Sequence, residues 1–280
     1  TLDRSSAASD VYKRQLLIIG LSLTQLVFAQ QAMAGSKEEV IVATDAVTKP
    51  FTYKQGSQHT GYDIEVLKQI FKGSKTYRLT IKTVSFPSIL SGIDSGRYHI
   101  AANDFGYSKE RAETYLFSKP ISKSHYALAS KPSRTYRRLA DLSGKKTQGM
   151  AGANYMQVLE KWNQSHPDKK PIHLSYVSGS SPFTQRLQQV EEGQLDFVFY
   201  DAISLKTAIK EQGFSLKVNQ LTGNLASDKD GLEYYLFAKD KKGKALQTFV
   251  NKGLAKLQKS GKLKTYSQDF FGGDFVSDLP

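Results

Sequence analysis

Two charged residues in this chain stand where they could hold a small ionic molecule. Arg111 lies in the run SKERA. A guanidinium there can clamp a carboxylate through two parallel charge-assisted hydrogen bonds; the alternative is a surface cation on a short helix. Asp201 ends the apolar run FVFYD and precedes AISLKTAI. A carboxylate at a strand end can accept from a cation, or can cap the helix that follows. Other chemistry is missing. With no cysteine, the chain has no disulfide framework, no thiolate metal site and no thiol nucleophile. His59, His99, His125, His166 and His173 are dispersed, and none pairs with an acid or another histidine at metal-ligand spacing. Neither a nucleophile elbow nor a phosphate-binding glycine loop is found. No metal, no cofactor and no catalytic residue is expected.

Alternating strand-like and helix-like segments must position these residues. Residues 39–45, 78–84 and 99–103 read as strands. Residues 62–71 place Ile64, Leu67, Ile70 and Phe71 on one helical face, and residues 88–93 read as a short helix. In the second half, residues 173–177, 183–190, 197–200 and 202–209 repeat strand, helix, strand, helix. Residues 245–257 carry Phe249, Val250, Leu254 and Leu257 on one face. This alternation predicts α/β lobes with parallel strands and crossover helices. The basic, turn-rich segment 131–146 reads as one passage between lobes, and the glycine-rich 223–231 as the other.

Charge and the N-terminus narrow the setting. The 280 residues hold 39 Lys and Arg against 26 Asp and Glu, a net charge of +13. Such an excess suits an anionic partner: nucleic acid, a membrane face or a polyanionic wall. Residues 1–15 carry SSAASDVYKRQ, which reads as adaptor-derived and is set aside. Residues 16–34 follow Lys13 and Arg14, are mainly apolar, and end in Ala32-Met33-Ala34, the order of a signal peptide cleaved before Gly35. Its removal leaves a net charge of +12. The basicity thus belongs to the exported chain, which argues against nucleic acid and for an anionic cell surface.

Several blocks now line up in order: ATDAVTKPFTYKQGSQHTGYDIEVLKQIF, FPSILSGIDSGRYHIAANDFGYSKERAETYLFSKPI, DLSGKKTQGMAGANY, GQLDFVFYDAI and LQKSGKLKTYSQDFFGG. Together they resemble the extracellular solute-binding proteins of polar amino-acid ABC transporters (solute-binding protein family 3), over about residues 38–275. Within that family the basic, signal-cleaved pattern is similar to the surface-located cystine-binding proteins of lactobacilli. The resemblance implies the type II periplasmic-binding-protein fold, two α/β lobes joined by a two-segment hinge. Lobe one would hold residues 38–127 and 226–280, lobe two residues 128–225.

It also implies a site for a free amino acid, best L-cystine, delivered to a membrane permease by hinge closure. Arg111 would bind the carboxylate. Asn103, Asp104 and Gly106 match the segment whose backbone contacts both ligand charges, with Gly106 replacing a common hydroxyl residue. Asp201 would hold the ammonium. Gly152-Ala153-Asn154 stands where the family has Gly-Thr-Thr, so Ala153 and Asn154 would act through backbone N–H groups and the amide. Phe51 would stack on the ligand, unless it is a core residue, with Tyr53 and Phe86 behind it. A monomer outside the cytoplasm, held by charge rather than by a lipid, is expected. Two further readings are an enzyme on the same scaffold, a cyclohexadienyl dehydratase using Glu110 or Asp104, and an adhesin working through its basic exterior.

Overall fold

The computed structural model describes residues 37–179, 181–222, 229 and 231–280. The expected signal segment, the leader before it and most of the second passage lie outside the described residues. Contacts divide the chain into two units. The described part of the smaller comprises residues 37–39 and Gly73–Arg78, where the Glu38 N–H donates to the Thr76 carbonyl at 2.8 Å. The larger unit, Val40–Lys72 and Leu79–Pro280, holds everything that positions the site.

The largest sheet has the order β5-β1-β6-β14-β7, where β5 is Tyr77–Thr83, with β8 added on β14. Its centre is β1 (Glu38–Thr44), β6 (Ile100–Gly106) and β14 (Leu232–Ala238). β6 and β14 are buried along nearly their whole length, because helices and neighbouring strands cover both faces. β1 runs parallel to β6, with Val42 beside Ile100. β14 is antiparallel to β6, to β7 (Tyr115–Phe117) and to β8 (Ser122–Lys123). A hairpin sheet of β2 (Val47–Thr48), β3 (Thr52–Gln55) and β4 (Gln58–Thr60) precedes α1 (Tyr62–Phe71). α1 buries Ile64, Val66, Leu67 and Phe71. Its N-cap, Gly61, has φ 108°, and a Cβ there would collide with the Phe51 carbonyl. Only glycine meets both demands. α2 (Phe86–Asp94) packs Ile89 and Ile93 against Ala101 and Phe105 of β6. α7 (Lys241–Lys259) buries Leu246, Val250, Leu254 and Leu257, the spacing of one helical face. Phe249, expected on that face, is half-buried against Phe71 at 4.9 Å.

A second core gathers Leu128, Leu159, Trp162, Leu187, Phe197, Phe199 and Leu205. It sits under the sheet β12-β9-β13 and the parallel pair β10-β11. β9 is Tyr126–Ser130, β10 Lys146–Met150, β11 His173–Val177, β12 Val198–Asp201 and β13 Lys217–Gln220. α4 (Asn154–Ser165), α5 (Phe183–Glu192) and α6 (Ala202–Gln212) cover it. On α4 the Trp162 ring stacks on His166, 4.7 Å between centroids and 15° between planes.

Two expectations are corrected. The strands are not uniformly parallel: β9 pairs antiparallel with both β12 and β13, and β14 with β6. The chain also leaves the large sheet before segment 131–146, since β8 belongs to one sheet and β9, three residues on, to the other. The basic segment lies beyond that step, as a loop and a short 3₁₀ turn at Leu139–Leu142.

Candidate functional site

The C-terminal end of β6, the start of α3 (Lys109–Thr114), the start of α4 and the end of β12 converge on one cavity. Asn103, Asp104, Gly106, Arg111, Ala153, Asn154 and Asp201 all line it.

Arg111 is held from two sides. Its backbone N–H donates to the Ser108 hydroxyl, the N-cap of α3, at 3.1 Å. Its guanidinium donates to the Gly106 carbonyl at 3.0 Å and to the Gly152 carbonyl at 3.1 Å. It also lies over the Phe105 ring, 5.0 Å from the centroid. Burial lowers its pKa to about 10, so the cation persists at neutral pH. Two carbonyls occupy two of five N–H donors, which leaves donors for a carboxylate.

Asp201 ends β12 at the cavity. One carboxylate oxygen accepts from the Ser204 N–H at 2.9 Å, capping α6, while the residue lines the cavity. Burial pushes its pKa up to about 6. Asp104 sits in the left-handed region, at φ 51°. Its backbone N–H donates to the Asp63 carboxylate at 3.1 Å. Burial first, and then Asp201 and Asp63, push its carboxyl well above the ordinary range, against the pull of Arg111. The cavity thus opposes two carboxyls to one guanidinium.

The Asn103 side chain is turned away from ligand contact. Its amide oxygen accepts from the Thr44 hydroxyl at 2.9 Å and the Asp45 N–H at 2.8 Å. Its amide nitrogen donates to the Asp45 carboxylate at 2.9 Å. The side chain is engaged in tying β1 to β6, so only its backbone is left for the cavity. Gly106 does more than lack a hydroxyl. A Cβ there would stand 3.0 Å from the Asn154 amide nitrogen and 3.4 Å from the Tyr126 hydroxyl, so glycine makes room for α4.

At the start of α4, the Ala153 N–H is taken by the Met150 carbonyl at 3.3 Å, so Ala153 offers the cavity only an apolar wall. The Asn154 amide nitrogen donates to the Tyr107 carbonyl at 2.8 Å. Its amide oxygen is buried without a partner. Asn154 therefore presents an acceptor, which suits a ligand N–H rather than a carboxylate.

Phe51 is not brought to the cavity. It is fully buried against Phe271, 4.9 Å between ring centroids. Its carbonyl accepts from the Asp63 N–H at 3.1 Å, which fixes this segment on the start of α1 and turns the ring into the core. Tyr53 also lies off the lining and sits under Lys49 at 5.1 Å. Glu110 is exposed and paired with Lys161 at 3.5 Å, away from the cavity. Among the described residues, no group of three or more His, Cys, Asp or Glu is placed to hold a metal.

The residues missed are mostly aromatic. Phe86, Phe105, Tyr107, Tyr126, Tyr155 and Tyr200 form the walls, of which only Phe86 was anticipated. Phe86 stacks on Phe105 at 5.6 Å, and Tyr155 meets Tyr200 edge-on at 4.8 Å. Behind them Arg186, 2% exposed, donates to the Tyr155 hydroxyl at 3.1 Å and holds that wall. The exposed Lys229 completes the rim, its amine 4.1 Å from the Tyr107 ring centre. The strand register places Tyr126 opposite Asp201, a relation invisible locally in the sequence.

Comparison with known proteins is consistent along the chain. Residues 40–273 match the bacterial extracellular solute-binding proteins, family 3. The L-cystine-binding protein TcyJ of Bacillus subtilis is 29% identical over 272 residues, 94% of this chain and 97% of that protein. A structure from work on glutathione import in Gram-positive bacteria via GshT and the cystine ABC importer TcyBC of Streptococcus mutans is 36% identical. Its TM-score is 0.80, over 88% of this chain and 98% of that one. The arginine-, lysine-, histidine-binding protein ArtJ of Geobacillus stearothermophilus, 20% identical, shares the fold at a TM-score of 0.72, over 86% of this chain and 98% of that one. The architecture is the type II periplasmic-binding-protein fold. No helix among the described residues is long and apolar enough to cross a membrane.

Proposed function

The chain belongs to the bacterial extracellular solute-binding proteins of family 3, and from that premise we propose that it captures a free amino acid, L-cystine, for an ABC importer. The observation that carries this reading is the cavity in which Arg111 faces Asp104 and Asp201 within aromatic walls. An α-amino acid brings a carboxylate for the guanidinium and an ammonium for Asp201 and the Asn154 oxygen. Charge-assisted bonds of this kind each contribute about 1.5–3 kcal/mol.

L-cystine adds a disulfide and a second amino-acid head. Met150 and the tyrosines suit the disulfide, since sulfur–aromatic contacts contribute about 0.3–1.5 kcal/mol. Lys229 at the rim suits the second carboxylate. The lobes would divide between β8 and β9, near residue 124, rather than at 127, and again within residues 223–231. Ligand bridging both favours closure by its greater affinity for the closed form, and a permease would read that form. The excess of cations suits retention of a monomer at an anionic cell surface outside the cytoplasm.

The test is a calorimetric panel of L-cystine, oxidised and reduced glutathione, glutamine and arginine, with mass spectrometry of any co-purified ligand. L-cystine is expected to bind most tightly. If glutathione binds and L-cystine does not, the substrate assignment fails.

A further inference from the structure

Behind the cavity stand two carboxylic acids that ligand binding does not use. Asp63, at the start of α1, is fully buried, and Glu233, the second residue of β14, is 2% exposed. Their carboxyls lie within hydrogen-bond reach of each other. Each has one oxygen with a donor. One Asp63 oxygen accepts from the Asp104 N–H at 3.1 Å, and one Glu233 oxygen accepts from the Ser122 hydroxyl. The other two, Asp63 Oδ1 and Glu233 Oε1, are buried with no partner. Neither acid enters an ion pair among the described residues. Apart from each other, the charges that act on them are Asp45 on Asp63 and Asp104 on Glu233, and the phenols of Tyr62 and Tyr235 face them. The Tyr235 hydroxyl donates to the Asp63 carbonyl, not to its carboxylate, at 2.8 Å.

Two adjacent buried carboxyls with no cation cannot both ionise. One proton between them satisfies both orphan oxygens with a single hydrogen bond. The geometry points to Asp63 and Glu233 as a shared-proton pair that positions the Asp104 turn of the ligand site. That turn needs a support, because a non-glycine residue at φ 51° is disfavoured. The Asp63 oxygen that takes the Asp104 N–H keeps its orientation only while Glu233 holds the other oxygen. Burial pushes both carboxyls up, with Asp45 adding to this at Asp63 and Asp63 and Asp104 adding to it at Glu233, which favours holding the shared proton. Its loss at higher pH sets two anions against each other and loosens the turn, so ligand affinity falls as pH rises.

The affinity part of this inference rests on the L-cystine reading; the proton itself does not. The experiment compares the wild type with Glu233→Gln, which keeps a donor to Asp63 but cannot ionise. Infrared spectra of both proteins at neutral pH, without added ligand, are expected to differ by a protonated-carboxyl C=O band present only in the wild type. The wild type's melting temperature is expected to fall more steeply toward alkaline pH. L-cystine affinity is expected to fall with pH about tenfold more in the wild type than in the variant, the equivalent of one pKa unit. The ligand's own ammonium titrates alike in both. Should Glu233→Gln not fold, Asp63→Asn, which retains an acceptor for the Asp104 N–H, gives the same comparison. No difference band, or parallel pH profiles of melting and affinity, overturns the proposal. If L-cystine fails to bind the wild type, the substrate reading fails, and the band and melting profiles still decide the pair.

Discussion

Arg111→Ala is expected to abolish capture while leaving the fold largely intact. The guanidinium touches two carbonyls at 3.0 and 3.1 Å and keeps donors for a ligand carboxylate. Two charge-assisted bonds at about 1.5–3 kcal/mol each amount to about 3–6 kcal/mol. That corresponds to a rise in Kd of roughly 10²- to 10⁴-fold. Truncation also leaves the Gly106 and Gly152 carbonyls without their donor. Gly106 lines the cavity and Gly152 is exposed, so water can replace the guanidinium at both, and the stability cost stays at the low end of about 1–3 kcal/mol. Arg111→Lys separates charge from geometry. It keeps a cation but loses the planar fork, and an intermediate loss is expected. Titration calorimetry with L-cystine measures the affinities, and thermal melts confirm folding. A folded Arg111→Ala protein that binds within about threefold of wild type would refute the clamp. Wild-type affinity in Arg111→Lys would refute the bidentate geometry.

Three more outcomes are expected. Asp201, with its pKa pushed up to about 6 by burial, must be ionised to hold an ammonium, so L-cystine affinity falls as pH drops through about 6, and Asp201→Asn flattens that limb. The same raised pKa acts on stability in the opposite sense: its contribution is complete below the ordinary carboxylate range and is lost as pH rises through about 6, which melts of the unliganded protein can follow. Phe51→Ala is expected to cost about 3–5 kcal/mol of stability with unchanged affinity in the folded fraction, whereas Phe86→Ala weakens binding more than it lowers the melting temperature. Gly61→Ala, at φ 108° and facing the Phe51 carbonyl, is expected to prevent accumulation of soluble protein; normal expression and melting would contradict the backbone argument.

The alternation of elements was legible because helical and strand periods differ, and α1 falls on Tyr62–Phe71 as the apolar spacing predicts. Strand direction was not legible. An apolar run such as Leu232–Ala238 carries the same side chains whether its neighbour runs parallel or antiparallel. Arg111 and Asp201 stood out through the runs that carry them, SKERA and FVFYDAI, which fall in the order of the family's blocks. The aromatic walls did not, since 15 Tyr and 15 Phe leave any single ring uninformative about which side of a sheet it faces. Phe51 shows the cost of that ambiguity. Asn154 was legible as polar but not as an acceptor, because the Tyr107 carbonyl that fixes its amide arrives only with the fold. Asp63 and Glu233 come from distant parts of the chain, with no local signal linking them.

The stacked ring on α4 carries a practical consequence. The chain has one tryptophan, and Trp162 lies roughly two turns along the helix whose first residue is Asn154. Indole emission from the unmodified protein therefore comes from a single fluorophore on the helix that ends at the cavity. Stopped-flow fluorescence can then time ligand arrival at that helix without a dye, a label or a substitution.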